Sequence, residues 1–201
     1  MSTEQPDPDA PADSEDATAK LFGQWDTEEI EFRDVSTERY ITVTPIAHTM
    51  GRHADKQFKK SQISIVERLI NRLMQTDENT GKKQLATQLT RDAFETIHDR
   101  TDENPVQILV RAVENAAPRE ETVRLKYGGI SVPKAVDVAP QRRVDQALKF
   151  LAEGVQNDSF KTETDAADAL ARQLMGAAND DVDTYAVSQK EEKERVAAAA
   201  R

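Results

Sequence analysis

The sequence predicts a mainly α protein: a single-domain helical bundle with a protruding β-hairpin and an extended N-terminal arm. Three observations carry that prediction. Apolar residues recur at helical spacing in successive segments from residue 63 onward, one stretch around residue 130 switches to period-two alternation across Gly128-Gly129, and the first 19 residues hold almost nothing apolar. A chain of 201 residues is long enough for one ordinary domain with a core of its own, plus tails.

Residues 1–19 are built mainly from Pro, Asp, Ala, Ser and Glu. Such a stretch cannot bury enough surface to offset its ordering entropy, so a disordered acidic arm is expected. Residues 20–60 read as an extended N-terminal segment with a basic loop. Phe22, Trp25, Ile30, Phe32 and Val35 stand there among acids, and Ile41-Thr42-Val43-Thr44 is a short extended run ended by Pro45. A helical core is expected over 61–181. Its first helix carries Ile63, Val66, Leu69, Ile70 and Leu73 at helical spacing. After a turn at Asp77-Glu78-Asn79-Thr80-Gly81, a second helix is expected with Leu85, Leu89, Ala93 and Ile97 on its buried face, ending near Arg100. Asn104-Pro105 supplies a cap and a first helical position for a third helix, whose stripe is Val106, Leu109, Val110 and Val113.

The hairpin is expected at about residues 122–138. Val123, Leu125 and Tyr127 alternate with Arg124 and Lys126, and Ile130 and Val132 alternate with Ser131 after the glycines. Pro133 removes a ladder donor, which suits the edge of a ribbon, and no other strand is evident for it to join. Pro140 opens a helix with Val144, Ala147, Leu148, Leu151 and Val155 as core face, and residues 164–176 form another with Leu170 and Leu174 buried. Residues 182–201 read as a charged terminal helix with so little apolar surface that it needs a partner or frays. No internal repeat is present.

Composition excludes several classes. With no cysteine there is no disulfide and no cysteine metal site, which fits a reducing, cytoplasmic setting. Met1-Ser2-Thr3-Glu4-Gln5-Pro6 shows no signal-peptide pattern, and no apolar run approaches the roughly 20 residues that span a bilayer, so no membrane partner is expected. The formal net charge of −10 argues at first against a nucleic-acid partner. Its distribution does not. Residues 1–40 carry a net −9, residues 41–160 a net +2 and residues 161–201 a net −3, and it is local charge that decides a binding face. Acidic load spread over helix surfaces resembles adaptation to high salt, the alternative being an ordinary acidic protein.

Nothing in the sequence points to catalysis. His48, His53 and His98 lack metal-ligand spacing, no nucleophile stands in a known arrangement with them, and Thr80-Gly81-Lys82-Lys83 matches only the tail of a phosphate-binding loop. No cofactor is expected. The basic clusters are more informative. Gly51-Arg52-His53-Ala54-Asp55-Lys56-Gln57-Phe58-Lys59-Lys60 holds four bases and one acid. Its cations suit phosphates, and His53 or Phe58 suits a stacked base; the alternative is a solvated loop anchored by Phe58. The hairpin offers Arg124, Lys126, Tyr127 and Lys134 around Gly128-Gly129, and its bland reading is a packed ribbon with its cations in water. Arg142-Arg143 place two cations in a first helical turn, at a cost of a few tenths of a kcal/mol each, which a phosphate between them would offset.

Two runs carry a family resemblance. One begins Asn104-Pro105-Val106-Gln107-Ile108-Leu109-Val110-Arg111-Ala112 and continues to Glu121; the other is Tyr127-Gly128-Gly129-Ile130-Ser131-Val132-Pro133-Lys134 through Pro140-Gln141-Arg142-Arg143. Together with Ser64-Ile65-Val66-Glu67-Arg68-Leu69-Ile70-Asn71-Arg72-Leu73-Met74 and Gly81-Lys82-Lys83, they resemble the universal small-subunit ribosomal protein seven family over roughly residues 40–160. Gly51-Arg52-His53 and the extended pieces before it look like the archaeal branch, and the acidic composition suits its halophilic members. The resemblance implies a structural constituent of the small subunit that binds a junction of the ribosomal RNA 3′ major domain and nucleates assembly of the head. It also implies a hairpin beside exit-site tRNA and departing mRNA, near ribosomal protein eleven. By matching position, Arg52, His53, Lys56, Lys59, Lys60, Lys82, Lys83, Arg142 and Arg143 would face rRNA. Arg124, Lys126, Tyr127, Gly128, Gly129 and Lys134 would form the ribbon near tRNA and mRNA. The chain departs from the family in one respect, being acidic where the family is strongly basic. The rival reading is an acidic protein–protein interaction module without RNA binding.

Overall fold

A computed structural model describes residues 20–51, 53, 55–75 and 79–201. The acidic arm, Arg52, Ala54 and the start of the turn after the first core helix lie outside the described residues. Within them are seven α-helices and one two-stranded sheet: α1 (Val35–Glu38), α2 (Ile65–Leu73), α3 (Lys83–Thr101), α4 (Pro105–Ala116), β1 (Glu120–Tyr127), β2 (Ile130–Asp137), α5 (Pro140–Ser159), α6 (Ala166–Ala178) and α7 (Tyr185–Ala198). A 3₁₀ turn, Lys59–Gln62, precedes α2.

α4 is the centre of the bundle. The Asn104 side chain accepts from the Val106 N–H at 3.0 Å and Pro105 fills the first turn, so the helix starts where expected. Its residues are apolar nearly all round, and Val106, Leu109, Val110 and Val113 are fully buried against α5 and α6. Its polar positions are used too. Gln107 exchanges two hydrogen bonds with the Glu31 backbone at 2.8 and 2.9 Å, and the Glu114 carboxylate accepts from the Arg33 and Asp34 N–H groups. The acidic N-terminal segment is therefore strapped to α4 by side-chain clips, not by a strand. Among the described residues only isolated bridges occur there, Leu21 with Trp25 and Thr42 with Ser64. The short helix α1, capped by Asp34, was not foreseen, because four residues carry no periodicity to read.

α3 shifts the expected face. Ala93 and Ile97 are buried as expected and Leu89 packs partly against the core, but Ala86, Thr90 and Phe94 complete the buried stripe while Leu85 is 50% exposed. Both sets fit a 3.6-residue period. Burying Phe94, whose ring meets Phe22 edge-on at 6.3 Å, outweighs burying Leu85. Thr90 enters the core because its hydroxyl donates to the Ala86 carbonyl at 2.8 Å.

The hairpin stands away from the bundle as expected, in antiparallel register with Tyr127 opposite Ile130 across the two glycines. Gly128 and Gly129 have φ of 55° and 90°, the two positive values that the tight hairpin turn requires. α7 finds its partner within the chain. It packs on α5 and β1, buries Ala186, Val187 and Ala197, and lays Lys193 over the Phe150 ring at 4.9 Å. At the ribbon base the Ala135 N–H donates to the Ala200 carbonyl at 3.3 Å.

Candidate nucleic-acid interface

α2 and α5 lie side by side, and the 3₁₀ turn closes one end of the space between them. The result is an open groove of about 510 Å³, floored in part by Ile63 and Leu148. Helical spacing sets its chemistry. α2 presents Arg68 and Arg72, four residues apart, opposite its apolar stripe. α5 presents Arg142, Asp145, Gln146 and Lys149, the three-, four- and seven-residue spacing of one face. Lys60 and His53 reach in from the loop. Phe58, left-handed at φ 62°, reverses the chain so that Lys60 turns toward α5. Five cationic side chains and one carboxylate, Asp145, thus line one concave surface.

Each cation is held differently. Arg68 is 5% exposed, donating to the Tyr40 carbonyl at 2.7 Å and to Asp145 Oδ1 at 3.0 Å. Burial presses its pKa below the ordinary guanidinium value and Asp145 opposes that pull, so the group stays charged. Lys60 pairs with Asp145 Oδ2. Arg142, at the exposed end, grips Glu121 of β1 with two bonds of 2.8 and 3.0 Å. That bond raises the Arg142 pKa and holds the Glu121 carboxyl below its usual range, with Gln146 helping at 3.1 Å. Arg72 donates to the neutral Gln75 side chain at 2.7 Å, and Lys149 makes a surface pair with Glu153 at 3.4 Å.

The structure does not assemble the expected residues as one patch. Adjacency in the sequence suggests that Arg142 and Arg143 share a phosphate, but in the fold they part company. Adjacent helical residues point about 100° apart, and Arg143 is 7% exposed on the protein side of α5, bonded to Asp34 at 2.8 Å and to the Ser36 hydroxyl. It fastens α1 to α5. Lys83 is likewise turned to the protein, donating to Glu67 Oε1 at 2.6 Å. The Glu67 side chain is 1% exposed and also accepts from the Thr49 N–H at 3.1 and 3.2 Å. Lys59 lies near Asp55 at 3.8 Å, Lys56 and Lys82 are exposed, and His53 Nε2 meets the Thr49 hydroxyl at 2.8 Å. Arg52 is outside the described residues. The ribbon residues Arg124, Lys126, Tyr127, Gly128, Gly129 and Lys134 are all exposed, apart from the groove and joined to it at the base by the Glu121–Arg142 bond.

Sequence reasoning missed Arg68, Arg72, Lys149 and Asp145. Their signal was present. Arg68 and Arg72 occupy the positions left over by the apolar stripe of α2, and Lys149 falls seven residues after Arg142.

Such an arrangement is a helical bundle with a cation-lined groove and an exposed basic ribbon. The family model of ribosomal protein S7p/S5e matches residues 37–201, and the chain belongs to that family. A protein of Haloarcula marismortui named small ribosomal subunit protein uS7 is 80% identical over 201 residues, 99% of this chain and 98% of the relative. A Natronomonas pharaonis protein of the same name is 74% identical over the whole of both chains. One from Methanothrix thermoacetophila is 55% identical over 90% of this chain and 100% of its own length. Identity is thus higher to the proteins of halophilic archaea than to that of a methanogen. The family is one of structural ribosomal proteins, not enzymes. No helix among the described residues is long and apolar enough to cross a membrane.

Proposed function

We propose that this chain is a structural constituent of the small ribosomal subunit in the cytoplasm, and that the α2–α5 groove is where it grips rRNA. The observation that carries this reading is the groove itself: five cations from three elements converge there in a chain whose net charge is −10. Affinity for RNA needs phosphates neutralised at the contact, not a positive total. The bound RNA would be a junction of the 3′ major domain, and the protein would nucleate assembly of the head by fixing that junction early. The exposed ribbon, with Tyr127 and Ile130 flanking its tip and Arg124, Lys126 and Lys134 along it, would reach toward exit-site tRNA, the departing mRNA and ribosomal protein eleven.

The test is binding of the full-length protein to a transcript of the 3′ major domain across a series of KCl concentrations. Changing Arg72 and Lys149 together to Glu should lower affinity at least about a hundredfold. It should also flatten the dependence of log affinity on log salt by about two units, one for each phosphate no longer neutralised. These two are chosen because neither holds the fold together, unlike Arg143 or Lys83. Unchanged affinity in this variant removes the groove from the interface, and absence of binding by the wild type favours the acidic interaction module.

A further inference from the structure

The groove has a carboxylate at its centre. Asp145 stands on α5 one turn beyond Arg142, and each of its oxygens holds a different cation, Oδ1 the Arg68 guanidinium and Oδ2 the Lys60 ammonium. Its side chain is 36% exposed, with the groove as its open side. A counter-charge for Arg68 alone needs neither that exposure nor the second partner, since Arg68 already has the Tyr40 carbonyl. An ionised carboxylate accepts and never donates, and has room for about four hydrogen bonds, of which two are used among the described residues. A phosphate entering the Lys60 side of the groove meets this like charge at close range, and that repulsion offsets part of the attraction of the two cations. A neutral donor meets an open acceptor instead.

Resting on the reading of the groove as an rRNA site, we propose that Asp145 is its specificity-determining residue: it weakens the hold of the Lys60–Arg68 side on phosphate and accepts a hydrogen bond from a neutral donor of the RNA, a ribose 2′-hydroxyl or a base amino or imino group. The outer cations Arg72 and Lys149 then take the backbone, and the inner pair, half neutralised by the one carboxylate, attracts a passing polyanion less strongly. This division suits a cation groove that must select one RNA fold, because discrimination arises as much from repelling wrong partners as from attracting the right one. It also fits recognition of RNA through exposed base edges and 2′-hydroxyls.

The test compares the full-length wild type, Asp145→Asn and Asp145→Glu on the 3′ major domain transcript and on an unrelated structured RNA of equal length. Asp145→Asn should bind the unrelated RNA about tenfold more tightly, with a salt dependence steeper by about one unit, while affinity for the cognate transcript changes little. The ratio of the two affinities should therefore fall about tenfold, and Asp145→Glu should restore most of it. A ratio unchanged in Asp145→Asn overturns the proposal and leaves Asp145 a counter-ion of Arg68. A second measurement needs no variant to fold. In an interference map on the wild type, removing one 2′-hydroxyl, or one exocyclic amino group, should cost about tenfold at a groove nucleotide; the two substitutions tell the ribose from the base. A map with no such donor-sensitive position also overturns the proposal. If Arg72→Glu with Lys149→Glu leaves binding intact while Asp145→Asn changes nothing, the groove reading has failed along with it; if the former weakens binding and the latter changes nothing, only the role of Asp145 falls.

Discussion

Arg142 and Arg143 differ by one position and by everything that surrounds them. Arg142 is a surface group borrowed by Glu121, whereas Arg143 is buried with Asp34 and Ser36, its Nε without a hydrogen-bond partner among the described residues. Arg143→Met should cost about 3 kcal/mol in urea unfolding, because it strands the Asp34 carboxylate in a part-buried site. Arg142→Met should leave the unfolding midpoint nearly unchanged, since exposed pairs contribute little. Glu67 offers a pH handle. Burial pushes its carboxyl up, but the Lys83 ammonium and the Thr49 donors outweigh it and hold the pKa below the ordinary 4.5. A depressed folded-state value stabilises the fold above the ordinary pKa, and that stability is lost as pH falls through the lowered value. The stability gap between wild type and Glu67→Gln should therefore be constant from pH 7 down to about 4.5 and narrow below it, as read by thermal melts at each pH.

At the scale of elements, the helices were legible because their apolar spacing is regular, and the ribbon because alternation and a glycine pair are local signals. What was not legible was which of two adjacent faces α3 buries. Leu85 and Ala86 both fit the period, and the choice fell to the size of Phe94 and to a hydroxyl that satisfies itself. The ribbon behaves as an appendage anchored at its base by Arg142, Ala200 and the α7 face. Gly129, at φ 90° with open space around it, holds a backbone conformation that a side chain strains. Gly129→Val should strain the turn by about 1–2 kcal/mol. Amide exchange at the ribbon tip should accelerate severalfold, while the melting temperature of the bundle stays within a few degrees. A large fall in melting temperature would show that the ribbon is part of the core's cooperative unit.

Over the whole molecule, an acidic total coexists with a cation-lined groove because the charges are segregated. Repulsion among surface acids destabilises the compact state until salt screens it, with a Debye length of about 10 Å at 0.1 M and about 3 Å at 1 M. The melting temperature should rise with KCl from 0.1 to 2 M, and a flat response would refute adaptation to high salt. The same salt weakens phosphate contacts. A protein working there gains from few, well-placed cations, which is what the groove supplies.

The class of fold, the order of the long helices, the ribbon and its turn, and the family can be read along the chain, because they rest on periodicity and on contiguous motifs. The groove exists only in the folded protein. Residues 60, 68, 72, 142, 145 and 149 become neighbours only when α2 and α5 pack side by side. Only that packing turned Arg143 and Lys83, cations by type, into internal partners of Asp34 and Glu67. A side chain's charge is written in the sequence, but whether it faces solvent or a buried counter-charge depends on which helix lies across from it.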